Sequence, residues 1–180
     1  MTPGRTGPEP VFSAAAGNPI GFGAGKSPPA SRPVESATLR LGIAAARFNQ
    51  TLVDGLLARV MDGLRAGGVR EENVAVARVP GSHEVPWAAQ ALAGGGKCDC
   101  VIGLGVLIAG DTAHHEIVGQ SVSHALQRVA LKTGVPVING VMVVDTAAQA
   151  HERCVGAINR GAEFASAALE MAALKRKFPS

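Results

Sequence analysis

Apolar residues fall into a regular pattern from residue 38 onward. Leu39, Leu41 and Ile43 alternate with small or polar positions, the period of a strand. Leu52, Leu56, Val60 and Leu64 then recur at helical spacing, with Asn49 as the expected cap and Gly67-Gly68 as the stop. Val74 to Val79 predicts a second strand. Ser82 is the expected cap of a short helix with Pro86 in its first turn, where proline is tolerated. The run from Cys100 to Ile108 is apolar throughout, as a parallel strand covered on both faces should be. A long helix follows, with Ile117, Ser121, Val122, Leu126 and Val129 expected on one side. Val135 to Val144 predicts a fourth strand. Thr146-Ala147-Ala148-Gln149 has the form of a capping box, and two helices are expected over roughly 146–156 and 161–176.

Strand and helix thus alternate four times. The expected fold is α/β: a doubly wound, four-stranded parallel sheet with helices on both faces, flavodoxin-like in its three layers. It forms one domain over 37–180, without internal repeats. Residues 1–36 differ. Rich in Pro, Gly, Ser and Ala and lacking any sustained period, they are expected to form a disordered tail. Gly21 to Ser27 approaches a phosphate-binding P-loop, but Ile20 stands where the first glycine belongs, and Pro28-Pro29 follows where a helix should start.

Composition narrows the function. Aromatics make up 3% and Tyr is absent, which argues against a base-stacking surface for nucleic acid. The formal charge is +3, and the one basic cluster, Lys175 to Lys177, ends a helix, where cations complement the dipole. No apolar run reaches the ~18 residues of a membrane span, and no continuous apolar segment marks a secretory signal. Neither nucleic acid nor membrane is an expected partner. Of three cysteines, Cys98 and Cys100 are expected on the same face, a poor geometry for a disulfide. No further ligands are arranged around them for a metal. Reduced thiols and a cytoplasmic location are the expectation.

The chemistry collects where the strands end, and ligands of open α/β sheets bind outside the carboxyl ends of the strands. Strand one ends in Ala46-Arg47-Phe48-Asn49, strand two in Val79 to Glu84, strand three in Ile108 to His115, strand four in Asp145-Thr146. Three of the five histidines fall on this one edge. Ser82 and Thr146 also have a plain capping role. Gly103 to Ile108 does not spell the dinucleotide fingerprint. His114-His115-Glu116 is no zinc helix motif, because adjacent helical residues point about 100° apart. What remains is acid–base chemistry by histidine, with helix-start amides available to an anion.

In order along the chain, Ala46 to Asn49, Val79 to Pro86, Gly105 to His114, Gly134 to Val137 and Gln149 to Arg153 resemble the motifs of the lumazine synthase family. The similarity spans about 38–175. The resemblance implies a cofactor-free transferase of riboflavin biosynthesis that condenses 5-amino-6-(D-ribitylamino)uracil with 3,4-dihydroxy-2-butanone 4-phosphate. It implies proton transfer by His114, stacking by Phe48, and a ribityl and uracil segment at Ser82, His83 and Glu84. Val106, Leu107 and Ile108 would line the uracil pocket. Asp111 and Thr112 would form the turn receiving phosphate, and Arg153 would bind that phosphate. It also implies self-association into a pentamer or a sixty-subunit shell, with riboflavin synthase as a candidate partner.

The sequence departs from the family pattern in places. His83 stands where an aromatic is usual, Ala109 where a basic residue is common, and Ala113-His114-His115 replaces Pro-His-Phe. Asn139 occupies a position often held by a Phe that reaches the neighbour's site, so it would hydrogen-bond the pyrimidine rather than stack. The loop from Arg153 to Gly161 is one residue short, which shifts the match of Arg160 to a second basic site residue. Two other classes compete: a non-catalytic flavin- or lumazine-binding shell protein on the same scaffold, and a flavodoxin-like electron carrier. The pairing of His114 with Arg153 argues against the first, and the scarcity of aromatics against the second.

Overall fold

The first strand in sequence lies inside the sheet. In the computed structural model, which describes residues 36–178, β1 (Leu41–Ala46) pairs in parallel with β2 (Val74–Val79) on one side and β3 (Cys100–Ile108) on the other. β4 (Val137–Val144) adds to β3, giving the order β2-β1-β3-β4. The expected tail of residues 1–36, with its P-loop-like segment, lies outside the described residues except for Ser36, which is buried and accepts from Leu39 N at 3.1 Å.

This order dictates where the helices go. Parallel crossovers are right-handed, so stepping from β1 to β2 and then back across to β3 and β4 sends the helices to opposite faces. α1 (Gln50–Ala66) covers one face, α2 (Val85–Gly94) and α3 (His114–Thr133) the other, and α4 (Ala147–Cys154) and α5 (Arg160–Lys177) return on the α1 side. Leu41, Ile43, Ile102 and Leu104 pack with Leu56 and Val60 of α1 and Ala165 and Ala168 of α5. Ala44, Ala46 and Val101 pack with Val85 and Ala89 of α2 and Val122 and Leu126 of α3. Each fully buried Leu, Ile or Val contributes roughly 1.5–3 kcal/mol. Every β1 side chain is buried, and three of its six positions are alanine, which lets both helical layers close on it.

Several local expectations change. The fourth strand starts at Val137 rather than Val135, because Pro136 has no N–H to give the ladder. In α3 the inward stripe is Gly119, Val122, Leu126 and Val129, while Ile117 is 65% exposed and Ser121 is also outside. Ile117 lies about 140° around the helix from Val122. Cys98 and Cys100 do not share a face: Cys98 packs in the α2–α3 layer and Cys100 in the α1–α5 layer. Strand alternation begins only at Cys100, so the two-residue spacing does not align them. Both are free and buried, as is Cys154.

At the amino edge of the sheet, the last turn of α5 returns to the strand entrances. Arg176 donates to Asp99 and to Thr38, and Lys175 donates to Cys98 O at 2.8 Å. No helix among the described residues is long and apolar enough to cross a membrane.

Candidate active site

The opposite, carboxyl edge carries the expected chemistry. Beyond the last paired residues of β1 and β2, Arg47 N donates to Val79 O at 2.8 Å and Phe48 N to Pro80 O at 3.0 Å, so the two chain exits stay side by side. Phe48 then stands 68% exposed. Asn49 turns the chain into α1 with φ 56°, a left-handed conformation that asparagine tolerates better than most residues. Its side chain does not cap the helix as the sequence suggested. Nδ2 donates instead to Val106 O at 2.9 Å, tying the exit of β1 to β3.

A brace supports the same turn from below. Arg78 donates to Asp54 at 2.6 Å and to Ala46 O at 3.2 Å. The Arg78 hydrogen bond holds the Asp54 carboxyl below its ordinary value, against the opposing effect of burial.

Ser82–Glu84 forms one 3-10 turn ahead of α2, so Ser82 is a turn residue and not the cap of that helix. The turn closes on itself through Gly81 N, which donates to Glu84 Oε2 at 2.8 Å. Ser82 is buried against β3: a Cβ added to Gly105 would lie 2.4 Å from Ser82 Oγ. Only glycine admits the turn this closely. His83 and Glu84 are left exposed beside it.

Val106 is buried and Leu107 and Ile108 half-buried as β3 leaves the sheet. Asp111, Thr112 and His114 follow, all exposed, and His114 is the first residue of α3. Glu116 N and Ile117 N both return to Ala113 O, at 3.1 and 3.2 Å, and the amides ahead of them carry the positive end of the helix dipole. His115 falls on the inward stripe, its side chain 12% exposed, with Nδ1 3.4 Å from Thr112 O. One edge therefore assembles an exposed ring, a polar turn, an apolar strand end and an imidazole at a helix start.

Three expected site residues have other partners, and one of them lies away from this edge. Asn139 pairs with Gly103, five residues before the end of β4, or about 17 Å at the rise of a strand. Its Nδ2 donates to Ser123 Oγ at 2.9 Å on the α3 side. Arg153, on α4, donates to Gln149 O at 3.2 Å. Arg160 opens α5, ion-paired to Glu163 and 6.0 Å from the Phe164 ring centre. Thr146 does cap α4, accepting from Gln149 N at 3.1 Å, but the Gln149 side chain accepts from Asp145 N rather than from the cap. Among the described residues, no three His, Cys, Asp or Glu side chains gather as a metal site would require.

The sequence model of the 6,7-dimethyl-8-ribityllumazine synthase family matches residues 38–176. A 6,7-dimethyl-8-ribityllumazine synthase of Halorhodospira halophila is 45% identical over 139 residues, covering 77% of this chain and 89% of that protein. One from Thermococcus gammatolerans is 43% identical over the same length and coverage. The chain belongs to this family. By homology it is an enzyme with 6,7-dimethyl-8-ribityllumazine synthase activity, in riboflavin biosynthesis.

The geometry of this lumazine synthase family member also shows residues that sequence reasoning missed or misassigned. Asn49, expected as a helix cap at the end of strand one and within a family motif, instead links Phe48's turn to Val106. Gly105 was read only as part of a motif, yet it seats Ser82. The Asp54–Arg78 brace had no sequence signal, since the pair joins a helix to a strand 24 positions away.

Proposed function

We propose that the carboxyl edge binds 5-amino-6-(D-ribitylamino)uracil and that the chain condenses it with 3,4-dihydroxy-2-butanone 4-phosphate to form 6,7-dimethyl-8-ribityllumazine, without a cofactor. The observation that supports this best is the meeting of Phe48, the Ser82–Glu84 turn, Val106–Ile108 and His114 on one edge, in a chain of this family. Phe48 stacks on the pyrimidine. Ser82, His83 and Glu84 hold the ribityl chain and uracil, and Val106 to Ile108 form the apolar floor. The ketone's phosphate sits against the start of α3, where Asp111 and Thr112 present backbone amides and the helix dipole favours an anion.

The 5-amino group condenses with the ketone and loses one water to give an imine. Elimination of phosphate leaves an enol that tautomerises to a second carbonyl, and the ribitylamino nitrogen attacks that carbonyl and closes the ring with loss of a second water. His114 moves the protons that these steps require, as a general acid and base. Holding two reactants at one edge supplies much of the rate by proximity.

Asn139, Arg153 and Arg160 complete the site of a neighbouring copy in a pentamer or larger shell. The position of Asn139 well inside β4, away from the edge within one chain, supports this, as do the exposed apolar side chains Trp87, Ile117, Leu131 and Val143 on the α2–α3 face. Recesses of about 530 and 550 Å³ lie along α2 and α3, the first beginning at Pro86 and Trp87 and the second reaching Thr133 and Lys175. In the assembly Arg153 and Arg160 supply positive charge to the phosphate, a task suited to guanidinium forks.

Purified protein mixed with both substrates should generate the lumazine chromophore together with one inorganic phosphate. No product from either order of addition would overturn the reading. Light scattering should give a pentamer or larger; an active monomer would overturn the shared site.

A further inference from the structure

Residues 155–159 join α4 to α5, and Arg153 and Arg160 flank them. The backbone of this segment is held largely by local bonds. Val155 N and Gly156 N both donate to His151 O at 2.8 Å, Ile158 N donates to Glu152 O at 3.2 Å, and Ala157 N donates to Glu152 Oε2 at 3.1 Å. One tether comes from far away in sequence. Arg59, in the third turn of α1, donates a terminal guanidinium N–H to Val155 O, across 96 positions.

The surrounding packing is cut to admit that tether. At Gly55, one turn before Arg59, an added Cβ would lie 2.1 Å from Val155 Cγ1. At Gly161 an added Cβ would lie 2.6 Å from Arg59 Cβ and 3.0 Å from Leu56 O. Two glycines, one on each side, let the segment and the start of α5 come down onto α1. Burial raises the Cys154 thiol, and the charges of Arg59 and Arg153 oppose it.

We propose that Arg59 is a positioning residue for the phosphorylated ketone: through the Val155 carbonyl it fixes the α4–α5 connection and so sets the placement of Arg153 and Arg160. This rests on the assignment of those two arginines to the phosphate. One terminal nitrogen of the Arg59 guanidinium is engaged by the Val155 carbonyl. A charged donor on a half-buried carbonyl makes one of the stronger hydrogen bonds available to a loop. Without it, the connection keeps only its local bonds and the Val155 contact.

The test uses the full chain in its native assembly. Arg59→Met keeps the aliphatic stem and removes every donor; Arg59→Gln serves as a second variant if the first does not fold; Arg59→Lys restores a charged donor. Backbone hydrogen exchange across 155–159, inhibition by inorganic phosphate against the ketone, and the KM of each substrate are measured beside Arg153→Ala. Arg59→Met or Gln should speed exchange in the segment and raise the phosphate inhibition constant and the ketone KM roughly three- to tenfold. The pyrimidine KM and kcat should stay within about twofold, and Arg59→Lys should recover part of the loss. Unchanged exchange overturns the tether, whatever Arg153→Ala does. Faster exchange with unchanged phosphate affinity overturns the positioning role. If Arg153→Ala also leaves phosphate affinity unchanged, the phosphate assignment itself has failed.

Discussion

Asp99 and Arg176 form a two-point ion pair across 77 positions, Nε to Oδ1 at 3.0 Å and a terminal nitrogen to Oδ2 at 2.7 Å. The same carboxylate accepts from Arg40 N at 2.8 Å, and Arg176 also reaches the hydroxyl and carbonyl of Thr38, both at 2.7 Å. One pair therefore fastens the end of α5 to the approaches of β1 and β3.

Asp99→Ala should lower stability by about 1–2 kcal/mol, since the pair is charge-assisted but partly open to water. Its pH dependence has a definite sign. Burial pushes the Asp99 carboxyl up, but the hydrogen bonds from Arg176 and Arg40 and the charges of Arg176 and Lys175 outweigh it and leave it lowered. The contribution is thus present above the unfolded value of about 3.9 and fades as pH falls through the lower folded value. Urea midpoints measured from neutral to acid pH should show a shallower acid loss for Asp99→Asn than for the parent.

The thiols act at the other end of the scale. Burial raises the Cys100 thiol from its ordinary 9.0 to about 12, and raises Cys98 and Cys154 as well. Unfolded thiols ionise first as pH rises, so the folded state loses stability from about pH 9 toward 12. At pH 8 a thiol reagent should leave the native protein almost unlabelled and label three cysteines per chain in urea. Rapid native labelling of even one would contradict the burial described.

For His114→Ala the expected change is in turnover, with pyrimidine affinity nearly intact. General acid–base groups contribute about 10²–10⁴-fold, and the lower end is expected for a reaction helped so much by proximity. A parental kcat at saturating substrates would remove His114 from the proton transfers.

Gly105→Ala should raise the pyrimidine KM more than the ketone KM. The new Cβ would meet Ser82 Oγ and push the Ser82–Glu84 turn off β3, at a cost of roughly 1–3 kcal/mol in stability. Adding Ser82→Ala, which removes the nearest atom, should recover part of that stability in thermal melts. A substitution that shifts both KM values equally would place the turn outside the pyrimidine site.

The layered α/β fold was legible because the strands carry apolar residues on both faces and the helices on one. The candidate site was chosen on the rule that strand ends gather ligands, and Phe48, Ser82 and His114 each follow the end of a strand on that edge. Detail failed where local signals compete. Asn49 has the composition of a cap, but its left-handed backbone turns the side chain toward Val106. Ile117 is apolar yet falls outside the buried stripe, since apolarity alone does not fix a helix's rotation. Arg59, Arg78 and Asp99 carried no signal at all, because each finds its partner through tertiary folding across 24 to 96 positions.

Trp87, the only tryptophan in a chain without tyrosine, stands 77% exposed on α2. Intrinsic emission from this protein is thus a surface signal. In an isolated chain the indole already meets water, so melting the core would change its colour little, and a flat trace would say nothing of stability. A blue shift on raising protein concentration would instead report another chain closing over α2. The same lamp that is blind to unfolding is well placed to watch assembly and disassembly, and paired with circular dichroism it separates the two events in one titration.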